Sequence, residues 1–352
     1  MIPRMLIFLL VFLAVYGGMH FYIYYRIHSL FSYSIVKWII VAMAVLTPLS
    51  MFISRSFYSI FTRILQAISS TWLGVAFLMF VILLLYEGLR FVPGISQESW
   101  RMIIPAAIIL LSVIAIINAQ LLTVKRVELP LAYLDRPVRI VQLSDIHVGT
   151  IQNSGFLQRI VRITNEQNPD MVFITGDFFD GTGAVREHTL APLNSLKAKV
   201  FFISGNHEVY EGYDKITDAL KSTNVSFMDG KVETYKGLQI IGIGHPRQDE
   251  FSEPDLSGID IDKGRPSVLL YHQPLGMEDA NEKGIDLQLA GHTHNGQIFP
   301  FNFIVKLFYS KINGLYRIGD LYLYVSPGTG TWGPPMRLGS RNEITVIDLT
   351  GG

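Results

Sequence analysis

The sequence contains no cysteine among its 352 residues, which excludes disulfide bonds, thiolate nucleophiles and cysteine-ligated metals. Charged residues are also scarce, at 16% of the chain, compared with about a quarter in ordinary soluble proteins. Basic and acidic residues are equal in number, at 29 each, so no overall charge favours nucleic acid as a partner. Any metal site must therefore use nitrogen and oxygen ligands, and part of the chain is expected to avoid water.

The first 122 residues contain four long apolar stretches, at about 5–25, 35–53, 70–86 and 102–122. Each stretch approaches or reaches the roughly 17–25 residues that cross a bilayer as a helix. Short charged connectors separate the stretches, which disfavours four buried helices of a soluble protein. Three further stretches after the first disfavour a cleavable signal peptide. Residues 1–122 are thus predicted to form a four-helix transmembrane region of a multi-pass cell-membrane protein, with the lipid bilayer as its partner.

Four crossings would place the N-terminus and the C-terminal domain on the same side of the membrane. Basic residues near the ends of the stretches divide five to four in favour of the side that carries the domain. Because basic residues accumulate on the cytoplasmic side, this count slightly favours a cytoplasmic domain. The oligomeric state is left open.

From residue 137 onward, short runs rich in valine and isoleucine alternate with amphipathic segments. This alternation predicts an α/β domain over residues 137–352. Residues 123–136 are expected to be a linker between the membrane region and this domain. Beyond residue 122 the chain has 22 basic and 27 acidic residues, which gives no reason to expect nucleic-acid binding.

Side chains that can bind metals follow five of these runs, where each predicted strand ends. They are Asp145 and His147 in LSDIHVGT, Asp177 in TGDFFD, Asn206 and His207 in SGNHE, His272 in YHQP, and His292 and His294 in AGHTHN. A single histidine of this kind more often has a structural or surface role. Here five of nine histidines fall in the motifs, and functional groups of open α/β sheets collect beyond the carboxyl ends of strands. The pattern favours a metal centre. The other four histidines are interpreted as ordinary residues, and His245 is the one of them whose distance from the centre is to be checked.

The order D-x-H, G-D, G-N-H-E, a lone histidine and G-H-T-H resembles the calcineurin-like metallophosphoesterase superfamily over residues 137–349. The segment YVSPGTGTWGPPMRLGSRNEI resembles the membrane-associated bacterial YkuE-like subfamily. The resemblance implies a four-layer α/β sandwich, in which two β-sheets are flanked by helices.

The resemblance also implies two divalent metal ions, Mn, Fe or Zn, which suit nitrogen and oxygen ligands. One ion would be held by Asp145, His147 and His294, the other by Asn206, His272 and His292, with Asp177 bridging the two. The pair would ionise a shared water to hydroxide, which attacks phosphorus. By the same resemblance His207 would act without binding metal, by stabilising the transition state or protonating the leaving oxygen. Glu208 is predicted to be structural.

Residues 299–318 (FPFNFIVKLFYSKINGLYRI) are rich in aromatic residues and include two lysines. They are interpreted either as a covering loop or as an interfacial element that contacts lipid. Lys306, Arg337 and Arg341 are candidate phosphate contacts, for which an ordinary surface role is equally compatible. The expected substrate is a small phosphorylated molecule or a lipid-linked one, such as a UDP-acylglucosamine or a phospholipid.

The sequence therefore predicts a membrane-anchored, metal-dependent phosphohydrolase that cleaves a phosphoester or pyrophosphate bond. A catalytically silent membrane sensor or scaffold is the first alternative, and the complete ligand set disfavours it. A membrane-tethered nuclease is the second, and the acidic domain without a basic aromatic groove disfavours that.

Overall fold

A computed structural model describes residues 2–181, 187–247 and 251–351. The chain divides into two compact units. The first unit comprises Met1–Ile117 and Gly333–Met336, and the second comprises Asn118–Trp332 and Arg337–Gly352.

Four helices make up most of the first unit: α1 (Ile2–Phe31), α2 (Val36–Ser56), α3 (Ile60–Leu89) and α4 (Gln97–Gln120). Helices α2 and α3 are joined through buried hydroxyl groups. The Ser50 and Ser69 Oγ atoms lie 2.5 Å apart, and Thr47 Oγ1 donates to the Ser69 carbonyl at 3.2 Å. Small hydroxyl side chains of this kind allow apolar helices to approach each other closely in lipid.

Three of these helices, not four, are long and apolar enough to cross a membrane among the described residues: α2, α3 and α4. The prediction of four spans is therefore corrected. In α1 the described side chains include His20 and Arg26, which reduce its apolar content. With three candidate spans among the described residues, the domain is no longer assigned to the same side of the membrane as the N-terminus.

The second unit contains two six-stranded sheets. The first sheet consists of β1 (Leu122–Leu131), β2 (Val138–Leu143), β3 (Met171–Thr175), β4 (Lys199–Ile203), β5 (Val225–Phe227) and β12 (Asn342–Gly351). The second consists of β6 (Lys231–Tyr235), β7 (Leu238–Ile243), β8 (Ser267–Tyr271), β9 (Leu287–Ala290), β10 (Gly314–Ile318) and β11 (Leu321–Val325). The helices are α5 (Ser154–Glu166), α6 (Glu187–Leu190), α7 (Asn206–Glu211), α8 (Tyr213–Leu220), α9 (Met277–Glu282) and α10 (Phe301–Val305).

Both sheets are mixed, and their central strands are parallel. The strand order is β1-β12-β2-β3-β4-β5 in the first sheet and β10-β11-β9-β8-β7-β6 in the second. Strands β2 to β5 run parallel, as do β7, β8, β9 and β11. The carboxyl ends of the parallel strands within each sheet therefore meet at one edge.

Consecutive side chains of a strand enter different layers of the core. In β2, Ile140 packs between the two sheets, whereas Val141 packs with residues of α5 and α8. In β8, Leu270 faces the first sheet and Leu269 packs with residues of α9. This alternation gives the order helix, sheet, sheet, helix, which confirms the predicted two-sheet sandwich flanked by helices.

The segment 123–136, predicted to be a linker, contributes a strand instead. Strand β1 pairs in parallel with β12 over ten residues, from Leu122 opposite Asn342 to Leu131 opposite Gly351. It lies at the sheet edge, where charged residues such as Lys125 and a proline at position 130 are tolerated. The sequence did not predict this strand, because it contains charged residues and a proline and because its partner strand is more than 200 positions away.

Replacement of Phe173 tests the packing between the sheets. Phe173 in β3 is fully buried, with its ring centroid 5.7 Å from that of Phe201. We expect Phe173→Ala to lower the free energy of unfolding by about 3–5 kcal/mol, because a cavity forms in a close-packed layer. The thermal midpoint of the full-length protein in detergent measures this. Tyr133→Ala is the control, since Tyr133 is 70% exposed; equal midpoints for the two variants would contradict the assigned core.

Candidate metal centre

The predicted ligands lie directly beyond the ends of parallel strands. Asp145 follows β2, Asp177 follows β3, Asn206 follows β4, His272 follows β8 and His292 follows β9. Residues far apart in the chain therefore meet at one place, because parallel strands carry their carboxyl ends to the same edge.

One ligand group consists of Asp145, His147 and His294, whose donor atoms all lie within 4.8 Å of one another. The Nε2 atoms of His147 and His294 are 3.1 Å apart, and His294 Nε2 lies 3.4 Å from Asp145 Oδ1. All three side chains are buried. They are the residues predicted to hold the first metal.

A second group consists of Asp177, His272 and His292. His272 Nε2 lies 3.2 Å from Asp177 Oδ2 and 3.3 Å from His292 Nδ1. Asn206 Oδ1 joins this group, at 3.0 Å from His292 Nδ1. Asp177 Oδ2 is also 4.0 Å from His147 Nε2 of the first group. The Asp177 carboxylate thus lies between the two groups.

The backbone at these positions adopts the left-handed conformation that side chains generally avoid. Five predicted ligands have φ between 49° and 67°: Asp145, His147, Asp177, His292 and His294. Each such residue costs on the order of 1–3 kcal/mol and persists only where surrounding structure enforces it. Their concentration at ligand positions marks this edge as a functional site.

Glycines beside the ligands permit close approach of the carboxylates. A Cβ atom at Gly205 would lie 2.3 Å from Asp177 Oδ1, and one at Gly291 would lie 2.3 Å from Asp145 Oδ2. These distances are far below van der Waals contact, so any larger residue would displace a carboxylate. The glycines of the G-N-H-E and G-H-T-H motifs are explained by this packing.

Hydrogen bonds from outside the centre orient individual ligands. The Nδ1–H group of His272 donates to the Thr175 carbonyl at 2.7 Å, which leaves Nε2 available toward Asp177. Ser144 Oγ donates to Asp145 Oδ2 at 2.6 Å, and the His292 backbone N–H donates to the same carboxylate at 3.1 Å. Asp145 is thereby fixed from two directions.

Glu208 is fully buried and holds together the loops that follow β3 and β4. Its Oε2 accepts from the backbone N–H groups of Asp177 at 2.9 Å and Gly205 at 2.7 Å. Its Oε1 accepts from the Phe179 N–H at 3.1 Å. Burial, together with the nearby Asp177 charge, raises the pKa of Glu208 to about 7. The predicted structural role is to position the loop that carries Asp177.

The centre favours neutral imidazoles, the form that binds metals. Burial lowers the pKa of His147 and of His294 well below the usual value, and it lowers the pKa of His292 to about 3. His272 is different: burial alone would lower its pKa, but the adjacent Asp177 carboxylate raises it above the usual value. His272 therefore carries a proton when no cation is bound.

Two buried carboxyl groups respond oppositely to the same surroundings. Burial raises the pKa of Asp145 to about 6, and the nearby Asp177 charge adds to this. Burial would also raise the pKa of Asp177, but His272 and His207 together lower it well below its usual value. Asp177 is therefore the permanently charged group of the centre.

The donor set fits divalent cations. Atoms of types that bind cations converge at short distances: Asn206 Oδ1 and His272 Nε2 both lie within 3.3 Å of His292 Nδ1. The His147 Nδ1 atom is buried without a hydrogen-bond partner among the described residues. Imidazole, carboxylate and amide ligands without sulfur are typical of Mn, Fe and Zn sites. The residues present would hold such ions in the two groups described.

His207 lies beside the centre and not deep within it. Its Nδ1 is 3.1 Å from the Asp180 carbonyl, and its ring centroid is 4.7 Å from that of His147. It shares a possible ligand group with His147 and Asp177, so its geometry is compatible both with metal binding and with the proton transfer predicted for it. The ring centroid of Trp332 lies 6.2 Å from that of His207.

Arg337, a candidate phosphate contact in the sequence, is a buried residue of the structure. Its side chain is fully buried, donates to the carbonyls of Pro327 at 2.7 Å and Gly330 at 2.6 Å, and lies 3.3 Å from His294 Nδ1. Burial lowers its pKa to about 10, so it remains charged at neutral pH. Arg337 supports the loop behind His294, and its guanidinium donates to backbone carbonyls of the chain.

The other candidate phosphate contacts lie apart from the ligand groups, and one neighbour of the centre was not predicted. Arg341 and Lys306 are exposed, outside both ligand groups. His245, interpreted from the sequence as an ordinary residue, is buried near the centre, and burial together with His272 lowers its pKa to about 4. The Tyr309 ring, 5.2 Å from that of His292, had no local sequence signal beyond the aromatic richness of its segment.

Comparison with known proteins agrees with this centre. The model of the calcineurin-like phosphoesterase family matches residues 138–296. A metallophosphoesterase of Campylobacter jejuni is 32% identical over 378 aligned positions, covering 98% of this chain and 99% of that protein. The chain belongs to the calcineurin-like phosphoesterase family: it is a metallophosphoesterase, a hydrolase acting on phosphoester bonds.

Other relatives match only part of this chain. The zebrafish transmembrane protein with metallophosphoesterase domain is 34% identical over 73% of this chain and 64% of its own length. The metallophosphoesterase YkuE of Bacillus subtilis is 31% identical over 60% of this chain and 78% of its own length. A Thermus thermophilus protein of known crystal structure covers 55% of this chain with a TM-score of 0.36 and 12% identity. The YkuE-like resemblance is confirmed, and the apolar helices together with a transmembrane relative indicate membrane association.

Metal binding is expected to weaken as pH falls. A cation must displace the proton that Asp177 holds on His272, whose pKa is raised, whereas His147, His292 and His294 are already neutral. Affinity for Mn²⁺ should rise by about tenfold per pH unit between pH 7 and 8, where Asp145, with a pKa of about 6, is already ionised, and one proton should be released per protein. Calorimetry of the metal-free protein in buffers of different ionisation enthalpy measures both quantities. An affinity independent of pH over this range would contradict the protonated Asp177–His272 pair.

Proposed function

We propose that the protein is a membrane-associated phosphohydrolase whose centre holds two divalent ions, Mn, Fe or Zn, with Asp177 between them. The observation that supports this most directly is the position of the Asp177 carboxylate, 3.2 Å from His272 Nε2 and 4.0 Å from His147 Nε2. These atoms belong to two different ligand groups. A carboxylate in this position is suited to bridging.

When bound, the ion pair would supply Lewis acidity, which activates water and neutralises charge on the phosphoryl oxygens. The chain supplies the remaining steps. Asp177 and Asp145 hold negative charge in a buried pocket, and Glu208 fixes the backbone of the Asp177 loop. His207, with Nδ1–H directed to the Asp180 carbonyl, would donate a proton from Nε2 to the leaving oxygen.

The substrate we favour is an amphiphile with a phosphoester or pyrophosphate group, such as a phospholipid or a UDP-acylglucosamine. Three apolar helices precede the domain, and exposed aromatic side chains follow the G-H-T-H motif. A small soluble phosphoester is the alternative. A silent sensor or scaffold is less well supported because the ligand set is complete, and a nuclease is disfavoured by the net negative domain.

Asp177→Asn is expected to abolish turnover. An amide cannot bridge two cations as a carboxylate does, so Mn²⁺-dependent hydrolysis of bis(p-nitrophenyl) phosphate should fall at least about 100-fold, and bound metal should fall with it. Elemental analysis and rate measurement on the full-length protein test this. Asp218→Asn is the control, since Asp218 is an exposed residue of α8. Full activity with retained metal in Asp177→Asn would exclude the bridging role.

His207→Asn is expected to separate metal binding from turnover. Because His207 is proposed to protonate the leaving oxygen, hydrolysis of a phosphoester whose leaving oxygen must be protonated should fall by about 10²–10⁴-fold. The metal content should stay as in the unmodified protein. The loss should be smaller for substrates whose leaving group needs no proton. Loss of metal in His207→Asn would show instead that the histidine is a ligand.

A further inference from the structure

We propose that the segment Phe299–Phe308 is a membrane-docking surface, which places the metal-bearing edge of the domain on the bilayer that holds the chain's own apolar helices. The consequence for substrate rests on the proposed function: a phosphoester carried by a membrane amphiphile would reach the centre from the lipid surface.

The docking surface consists of apolar side chains that face water in the described domain. Their exposed fractions are Phe299 49%, Phe301 40%, Phe303 59%, Ile304 46%, Leu307 80% and Phe308 62%. Helix α10 within this segment has no buried residue. A contiguous apolar surface of this kind is unusual on a soluble domain and is typical of an interaction site.

The docking surface adjoins the metal centre. It begins five residues after His294, and Gly296 approaches the backbone of Asn302 so closely that a Cβ would lie 2.3 Å from its Cα. At the other end Tyr309 lies against His292 with ring centroids 5.2 Å apart. Substrate entering beside these aromatics would need to travel only a short distance to the ligands.

The chain enters the domain at this same edge. Only Leu121 separates the end of α4 at Gln120 from the start of β1 at Leu122. Leu122 pairs with Asn342, the first residue of β12. Because β12 runs antiparallel to β2, with Thr345 opposite Gln142, its first residues lie beside the end of β2 that leads into Asp145.

Local contacts connect these parts within the second unit. Asn342 Nδ2 donates to the Ala119 carbonyl in the last turn of α4 at 2.7 Å. Asn118 and Asn295, the residue after ligand His294, line one polar cavity of about 280 Å³ together with Arg341. The Phe299 N–H donates to the Leu338 carbonyl at 2.8 Å. The end of the membrane helix, the ligand loop and the docking surface thus belong to one edge.

The occupant that fits is a lipid surface. The apolar span of α4 ends in the turn that contains Ala119, so chain continuity brings headgroups to this edge. Lys306, exposed between Ile304 and Leu307, can bury its methylene groups beside them and extend its ammonium group to headgroup phosphate. Aromatic rings with adjacent lysines are the composition that favours the interface.

A depth measurement tests docking independently of activity. Because the chain has no cysteine, Leu307→Cys carries a single nitroxide in the full-length protein. In nanodiscs of phosphatidylethanolamine and phosphatidylglycerol, we expect this label to collide more with oxygen than with a water-soluble nickel complex. Tyr133→Cys is the control: Tyr133 is 70% exposed and follows β1, whose ten residues span about 33 Å from the edge where the chain enters. A Leu307 label as accessible to nickel as the Tyr133 label would overturn the proposal.

A kinetic comparison tests the consequence for substrate. In the same nanodiscs, Phe303→Ser combined with Leu307→Ser should leave Mn²⁺-dependent hydrolysis of bis(p-nitrophenyl) phosphate unchanged. The same variant should lower the hydrolysis of a fluorescent phospholipid in the disc at least about fivefold, while Tyr133→Ser lowers neither. An equal loss on both substrates, or on neither, would overturn lipid presentation. Failure of the unmodified protein to cleave any phosphoester would instead overturn the proposed function and leave the depth measurement valid.

Discussion

The structure of the centre depends on the buried negative charge of Asp177. A carboxylate removed from water is stable only if cations or hydrogen-bond donors surround it. Here His272 lies 3.2 Å from one carboxylate oxygen, and the His207 N–H donates to the other at 2.9 Å. Asp145 and Glu208 are buried close by, and burial raises the pKa of each. Three buried acids in close proximity repel one another, and bound divalent cations would relieve that repulsion.

The two sheets contribute different parts of the centre. Loops of the first sheet carry the predicted ligands Asp145, His147, Asp177 and Asn206, and loops of the second carry His272, His292 and His294. Distances between ligands therefore depend on how the sheets pack. That packing is a close layer of aliphatic and aromatic side chains, including Ile140, Phe173 and Leu270. Rigid packing of this layer fixes the spacing of the two ligand groups with no direct contact to metal.

The sequence predicted best what is local. Each predicted ligand lies next to the strand that positions it, and the structure brings these residues together at one edge; the alternating pattern predicted only an α/β domain, whereas the two-sheet sandwich was implied by the family resemblance. The sequence did not predict features that depend on a partner strand far away in the chain or on an unusual environment of a side chain. Strand β1 carries charges on an edge and pairs with residues 220 positions away, which no short window reveals. Arg337 is fully buried although arginine is generally exposed, so its burial could not be read from the sequence, which suggested a phosphate contact or a surface position. Helix α1 was counted as a span from its length and apolar residues, without weight for its polar side chains.

Strand β12 lies between β1 and β2, although it follows β1 by about 210 residues. During synthesis β1 leaves the ribosome directly after a membrane helix and lacks its neighbour until residue 351 has been made. At the roughly 5–20 residues per second of translation, that interval is about 10–40 s. Strand β2, which also neighbours β3, gains its second neighbour only at that moment. The first sheet, whose edge carries Asp145 and Asp177, is therefore completed only when nearly the whole chain has been synthesised.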